Sequence, residues 1–155
     1  MRKKFIILIC VISLCLIGIV HFFESDYYVF DGNTLKFPNA NKTLKIIDIG
    51  GIDQTVFQIM EYNSKDIEKI IKQDFKKINI EEVNEIYEKA IEGYIFRWYL
   101  NEDEKQAFIE NFDKEMLFNT NNYYLFYEDT EEPVYEFMLF IIDADENKLY
   151  YILGA

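Results

Sequence analysis

A run of nineteen uncharged residues, from Phe5 to Phe23, is the feature that most restricts this 155-residue chain. As a helix it would extend about 28 Å at 1.5 Å per residue, close to the thickness of a bilayer's hydrocarbon core. The basic start "MRKK" precedes the run, and Glu24 ends it. Because basic flanks stay in the cytoplasm, residues 1–23 are predicted to be a single-pass transmembrane helix with its N-terminus in the cytoplasm and the rest of the chain outside it.

Two other interpretations of this segment remain open. A cleaved signal peptide would have small residues at its cleavage site, and the stretch "IVHFFES" has none of the A-x-A type. A lipoprotein signal would place a small residue before the acylated cysteine, but Leu14 precedes Cys15 in "ISLC". Cleavage would give a secreted domain and acylation a lipid-anchored one. All three interpretations place the domain outside the cytoplasm.

The exported part is strongly acidic. The residues after Phe23 contain 13 Lys and Arg but all 28 Asp and Glu, which gives a net charge of −15. Such a surface repels phosphate backbones and anionic lipid headgroups. The charge therefore argues against nucleic-acid binding and makes a basic protein the electrostatically natural partner.

Several catalytic chemistries lack their usual side chains. Cys10, Cys15 and His21 all lie within the apolar run, so the exported part contains neither cysteine nor histidine. Disulfides, thiolate nucleophiles, imidazole bases and zinc sites built from Cys or His are thereby excluded there. We predict no catalytic, cofactor-binding or metal-ligating residues, no cofactor and no enzymatic activity. Paired carboxylates could still hydrolyse a glycan, so a cell-envelope glycan hydrolase remains an alternative.

The stretch "DADEN" near the C-terminus resembles the start of a calcium loop. If Asp143 is position 1 of such a loop, Asp145 and Asn147 occupy positions 3 and 5. Position 6 should then be glycine but is Lys148, and position 12 should be glutamate but is Gly154. Strand-like sequences flank the stretch, so we predict a hairpin turn without a metal.

Residues 24–43 are predicted to form either a membrane-proximal spacer or a short hairpin. The hairpin interpretation depends on Asp31-Gly32 between "YYVF" and "TLKF". Residues 44–155 are predicted to form one extracytoplasmic domain. It should begin with strands at 44–49 and 55–62 around Gly50-Gly51.

Three helices are predicted next. Ser64 should cap a helix over 65–78 that buries Ile67, Ile70, Ile71, Phe75 and Ile78. A second helix near 81–92 should bury Val83, Ile86, Tyr87, Ala90 and Ile91 and end at Gly93. A third should run over 102–115, with Asn101 and Glu104 forming a capping box, and bury Ala107, Phe108, Phe112 and Leu117.

The stretch "YIFRWYL", residues 94–100, fits either a strand or a helix. Its aromatic residues alternate, so we favour a buried strand with Trp98 in the core and Arg97 facing outward. Three strands should follow, in "YYLFYED", "PVYEFMLFIID" and "KLYYILG", with the second of them central and one tyrosine-rich face of the first in the core.

This order of elements predicts an α+β domain with a mostly antiparallel sheet, about three helices on one face and a C-terminal β-hairpin. The main functional hypothesis is a non-catalytic, acidic binding domain that recognises another envelope protein, for example as an inhibitor or immunity-like protector. A third possibility is an accessory subunit of a membrane complex.

Overall fold

A computed structural model describes residues 25–30, 33–50, 54–129 and 136–155. The chain divides into two compact units, Met1–Asn39 and Ala40–Ala155. Among the residues described, no helix is long and apolar enough to cross a membrane. The predicted anchor, residues 1–23, lies outside them.

The described part of the first unit is a two-stranded antiparallel sheet. Strand β1 (Ser25–Phe30) pairs with β2 (Asn33–Pro38), from Ser25 opposite Pro38 to Phe30 opposite Asn33. The rings of Tyr28 and Phe37 lie 5.1 Å apart, centroid to centroid. The segment therefore has the hairpin pairing that the Asp-Gly signal predicts.

The second unit contains a six-stranded antiparallel sheet. Its strands are β3 (Lys42–Ile49), β4 (Thr55–Glu61), β5 (Lys76–Lys77), β6 (Tyr123–Asp129), β7 (Glu136–Asp143) and β8 (Lys148–Gly154). Their order across the sheet is β3-β4-β8-β7-β6-β5. The central position of β7 confirms the prediction from "EFMLFIID", because a strand that is apolar on both faces must be covered on both.

The first helix differs from its prediction at both ends. Helix α1 spans Ser64–Ile71, and its N-cap is Asn63, whose side chain accepts a 3.0 Å hydrogen bond from the Asp66 N–H. The helix stops seven residues early because the chain turns at Asp74, where φ is +60°, and then forms β5. The spacing of the apolar residues in the sequence predicted a continuous helix and did not indicate this turn.

The second helix is longer than predicted. Helix α2 (Ile80–Ile86) continues without a break through a π-helix (Tyr87–Ile95) into α3 (Phe96–Trp98). We call this continuous element the long helix, residues 80–98. The prediction of a strand at 94–100 is therefore wrong, and Gly93 does not end the helix.

The reason lies in the packing of the long helix against the sheet. Val83, Tyr87, Ala90, Ile91 and Ile95 are all buried in the main core. Their spacing of one helical turn places them on one side of the helix, whereas the alternation at 94–100 belonged to residues of mixed exposure.

The third helix begins as predicted. Helix α4 (Glu102–Asn111) starts with the capping box of Asn101 and Glu104, and a 3₁₀-helix (Lys114–Phe118) follows it. Phe108 and Phe112 are buried as expected, and the ring of Phe108 lies 4.4 Å from that of Phe57.

The long helix and α4 pack on one face of the sheet, and the segment after α1 contacts the other. Phe137, Leu139 and Ile141 of β7 belong to the same core cluster as the long helix. Phe140 points to the opposite face because side chains alternate along a strand, and its ring lies 6.2 Å from that of Phe75. The prediction that the helices pack on one face therefore describes the long helix and α4, whereas the segment that follows α1 lies against the other face.

Candidate functional site: the acidic helical layer and its groove

The stretch "DADEN" is a turn between β7 and β8, as predicted. Asp143 Oδ1 accepts hydrogen bonds from the N–H groups of Asp145 and Glu146, at 3.0 and 3.1 Å. Asn147 has φ of +55°, the left-handed conformation that asparagine tolerates. The Asp143 carboxylate therefore closes the hairpin. In the described ranges, no group of three or more His, Cys, Asp or Glu side chains is placed to hold a metal ion.

The two helices on the long-helix face form an acidic layer. Residues 80–118, which we call the helical layer, contain eleven acidic and four basic residues. Four exposed glutamates follow the long helix at intervals of three or four residues: Glu81, Glu85, Glu88 and Glu92. This spacing places them roughly on one side of the helix, opposite the buried residues, so negative charge lines its outer surface.

The three lysines of the helical layer are all engaged by carboxylates. Lys105 Nζ lies 2.7 Å from Glu102 Oε1, and Lys89 contacts Glu128. Lys114 Nζ lies 3.2 Å from Glu92 Oε1 and 4.3 Å from the ring centroid of Tyr87. The lysines of the helical layer are thus already neutralised by carboxylates. The layer has seven more acidic than basic residues, and this surplus is its net negative charge.

A groove of about 290 Å³ lies between α2 and β6. We call it the α2–β6 groove. Ile86 and Phe126 give it an apolar part, and its charged residues are Glu82, Glu85, Glu128 and Lys89. Its position follows from local structure. Glu85 and Ile86 both lie about one turn after Glu82 on α2, and Phe126 and Glu128, two residues apart, point to the same side of β6.

Two lysines oppose the three carboxylates of the groove. Lys89 contacts Glu128, and Lys76 Nζ of β5 lies 4.0 Å from Glu82 Oε1 with 70% of its side chain exposed. Within the described part of the chain, Glu85 forms no ion pair. The groove therefore keeps one carboxylate more than it has cations, and Glu85 is that carboxylate.

Tyr124 lies beside the same groove. It precedes Phe126 on the helix-facing side of β6 and is only 2% exposed. Its hydroxyl is buried and forms no hydrogen bond of normal geometry with the described residues, but the Glu82 carboxylate is close enough to interact with it as an acceptor. Burial raises the pKa of Tyr124 above the usual value for tyrosine, and the Glu82 carboxylate raises it further, first as a hydrogen-bond acceptor and then through its charge. A buried donor without an acceptor is costly, so this hydroxyl calls for a specific explanation.

The end of the long helix exposes an aromatic side chain. Trp98 is 67% exposed, so the expectation that it lies in the core is wrong. The Arg97 guanidinium carbon lies 5.2 Å from the centroid of the Trp98 ring, and Arg97 is exposed, as predicted, but on a helix. Trp98 is the last residue of the long helix, and its side chain is exposed to solvent there.

The tyrosine-rich strand β6 mostly serves the core. Tyr124 and Leu125 are buried on its two faces, whereas Tyr123 and Tyr127 are half-buried. Lys77 Nζ lies 5.8 Å from the ring centroid of Tyr123. The prediction that β6 contributes to the core is confirmed for Tyr124 and Leu125, while Tyr123 and Tyr127 are neither fully buried nor an exposed row.

Sequence reasoning did not identify the α2–β6 groove. The glutamates of "IEEVNE" look like a solvated helix surface, and nothing local indicates that β6 lies beside them. The repeat of Glu81, Glu85, Glu88 and Glu92 on the side away from the apolar stripe is a signal for the acidic outer surface of the long helix, but it does not indicate the groove. His21 and both cysteines lie outside the described residues.

Comparison with protein families finds no family model that matches this chain, and comparisons with curated proteins and with solved structures find no match either.

Proposed function

We propose that this protein is a membrane-anchored, extracytoplasmic binding domain whose acidic helical layer recognises a basic surface of another envelope protein. It acts without catalysis, in the manner of an inhibitor, an immunity-like protector or a docking subunit. The N-terminal helix attaches it to the membrane and leaves the domain outside the cytoplasm.

The concentration of unneutralised negative charge on the helical layer is the observation that carries this proposal. Residues 80–118 have seven more acidic than basic residues, nearly half of the surplus of the exported part. Their lysines already contact carboxylates. A surface of one sign speeds the approach of an oppositely charged partner and rejects acidic ones.

The exposure of Trp98 also favours the helical layer as the surface that binds a partner. Tryptophan is among the residues that contribute most when protein interfaces form, because it buries a large area with little loss of side-chain freedom. An exposed tryptophan beside Arg97, at the end of the helical layer, is a suitable anchor for a partner.

The direct test is purification of the full-length protein from its native membranes, followed by identification of the proteins that co-purify. We expect a stoichiometric basic partner that is released as salt concentration rises. Recovery of no stoichiometric companion would argue strongly against the proposal.

Two charge-reversal variants, one on the helical layer and one outside it, make this test specific to the helical layer. Glu88→Lys lies on the acidic side of the long helix, and Glu68→Lys lies on α1, outside the helical layer. We expect Glu88→Lys to weaken capture about fivefold, which corresponds to about 1 kcal/mol. Glu68→Lys should bind as the wild type does, and equal losses in both variants would show that only overall charge matters.

The orientation of the chain is tested separately. Protease added outside whole cells or spheroplasts should digest the domain and leave the N-terminal segment in the membrane. A domain that survives this treatment but is digested after lysis would lie in the cytoplasm.

Glycan hydrolysis is the alternative that the α2–β6 groove can test. Three carboxylates line it, and glycosidases need two at a suitable separation. If the protein degrades cell-wall glycan and Glu82→Gln or Glu85→Gln abolishes that activity, the non-catalytic proposal is wrong.

A further inference from the structure

We propose that the α2–β6 groove receives an arginine side chain of the partner, with the guanidinium held by Glu82 and Glu85 against Phe126. This inference depends on the proposed function for the source of the arginine. The groove itself can be tested without a partner.

The charges of the groove favour a cation. Glu82 and Glu85 line it from α2 and Glu128 from β6, and the two lysines nearby leave Glu85 without an ion pair among the described residues. A cation entering the groove would find an available carboxylate, and it would approach through the negative field of the helical layer.

The apolar residues select the kind of cation. Ile86 and Phe126 line the same groove, so an aliphatic stem can lie on them while its charged head reaches the carboxylates. A guanidinium is planar, weakly hydrated and able to stack on an aromatic ring while it binds carboxylates, whereas an ammonium is compact and strongly hydrated. This chemistry fits arginine better than lysine.

The Tyr124 hydroxyl is an independent indication of a ligand. It is buried, it forms no hydrogen bond of normal geometry with the described residues, and the Glu82 carboxylate is the acceptor close enough to interact with it. Glu82 is exposed and only loosely contacted by Lys76, at 4.0 Å. If Glu82 moves inward to hold a guanidinium with one oxygen, its other oxygen can accept the Tyr124 hydrogen bond. The occupied groove would thereby satisfy a donor that the empty groove leaves unpaired.

The groove can be tested with a small peptide on the full-length protein in phosphatidylcholine nanodiscs. The probe is acetyl-Gly-Arg-Gly-amide, and the comparison peptides carry citrulline or lysine at the central position. Isoleucine methyl groups are observed by NMR, because Ile86 lines the groove and Ile109 is exposed on α4 away from it. We expect the Ile86 methyl signal to shift saturably with the arginine peptide, less with lysine and not with citrulline, while Ile109 stays unchanged.

Variants separate the roles of the groove residues. Glu85→Gln should weaken arginine binding about fivefold, the loss expected for an exposed ion pair. Tyr124→Phe should weaken it about threefold, the loss expected for one neutral hydrogen bond. Glu68→Gln on α1 is the control and should not change the affinity. The methyl signals of Ile91 and Ile95 in the core show whether Tyr124→Phe still folds.

An Ile86 signal that does not respond to the arginine peptide, or responds equally to citrulline, would overturn the proposed groove. If partner capture is lost in Glu88→Lys but unchanged in Glu85→Gln, the helical layer binds the partner and the groove does not. If the arginine peptide binds but no partner is ever captured, the groove assignment is supported and the proposed function fails.

Discussion

Asn122 Oδ1 accepts a 3.1 Å hydrogen bond from the backbone N–H of Ala144, the first residue of the β7–β8 turn. The same side chain donates through Nδ2 to the carbonyl oxygen of Met116, at 3.1 Å. Asn122 is 1% exposed, and its own carbonyl accepts a bond from Ile78. One buried asparagine thus joins the 3₁₀-helix, the segment before α2 and the C-terminal hairpin.

Replacing Asn122 by alanine should therefore destabilise the domain by about 2 kcal/mol, because the partly buried N–H of Ala144 and the buried carbonyl of Met116 both lose their partner. Thermal unfolding of the full-length protein, followed by circular dichroism, measures the effect. Asn121→Ala is the matched control, since Asn121 is exposed, and it should change stability by less than about 0.5 kcal/mol. Similar losses in the two variants would contradict the role given to Asn122.

Gly154 is required by a close approach between β8 and its neighbours. A Cβ atom there would lie 2.7 Å from Phe137 Cε1 and 3.3 Å from Ile95 Cγ1. Gly154→Ala should therefore cost about 1–3 kcal/mol through overpacking of the core. Gly50 has no atom within 4 Å of the same position, so Gly50→Ala should be neutral. Urea unfolding of both variants gives the comparison, and a harmless Gly154→Ala would show that the Phe137 ring can move aside.

Buried tyrosines predict a loss of stability at high pH. Burial raises the pKa of Tyr151 to about 12, above its ordinary value of 10.0. Between these values the unfolded chain has lost the tyrosine proton and the folded protein has not, so unfolding becomes easier as pH rises. The contribution of Tyr151 is fully present below pH 10 and disappears by about pH 12, at up to about 1.4 kcal/mol per pH unit. Burial, and then Glu92, raise the pKa of Tyr87 to about 12 as well.

The melting temperature should fall as pH rises through this range, and it should fall less steeply in Tyr151→Phe. The control is Tyr123→Phe, because Tyr123 is only half-buried at the strand end. Parallel pH profiles for wild type and Tyr151→Phe would show that this hydroxyl is not desolvated in the folded state.

Trp98 is the single tryptophan of the chain, so its fluorescence reports one position. At 67% exposure, its emission should resemble that of indole in water, and acrylamide should quench it efficiently. Emission typical of a buried indole, in the full-length protein without a partner, would contradict the helical end at 94–98. Addition of the captured partner should reduce the quenching if Trp98 lies in the interface.

Local patterns located most of the sheet, and they located the helix starts to within one residue. The turn chemistry of Asp143 and Asn147 and the capping box of Asn101 and Glu104 were recognisable because each motif satisfies its own backbone groups within a few residues. The central position of β7 could be inferred from its apolar character on both faces. The same local rules failed at 94–100, where alternation and helical spacing coexist and only the packing of Ile91 and Ile95 on the sheet decides between them.

The candidate site could not be predicted in the same way. Glu82 and Glu85 belong to α2, whereas Tyr124, Phe126 and Glu128 belong to β6, about forty residues later. Their proximity depends on strand order and on the side of the sheet that the long helix covers, and neither is a local property.

The sequence by itself determined the net charge, the absence of cysteine and histidine from residues 24–155 and the positions of most strands. These follow from composition and from interactions between residues close in the chain. Only the tertiary structure decided that 94–98 is helical, that Trp98 faces solvent and that a buried tyrosine hydroxyl lies beside an acidic groove. Each of these depends on which distant surfaces bury one another, because burial against the sheet outweighs the small energetic preference of a short segment for helix or strand.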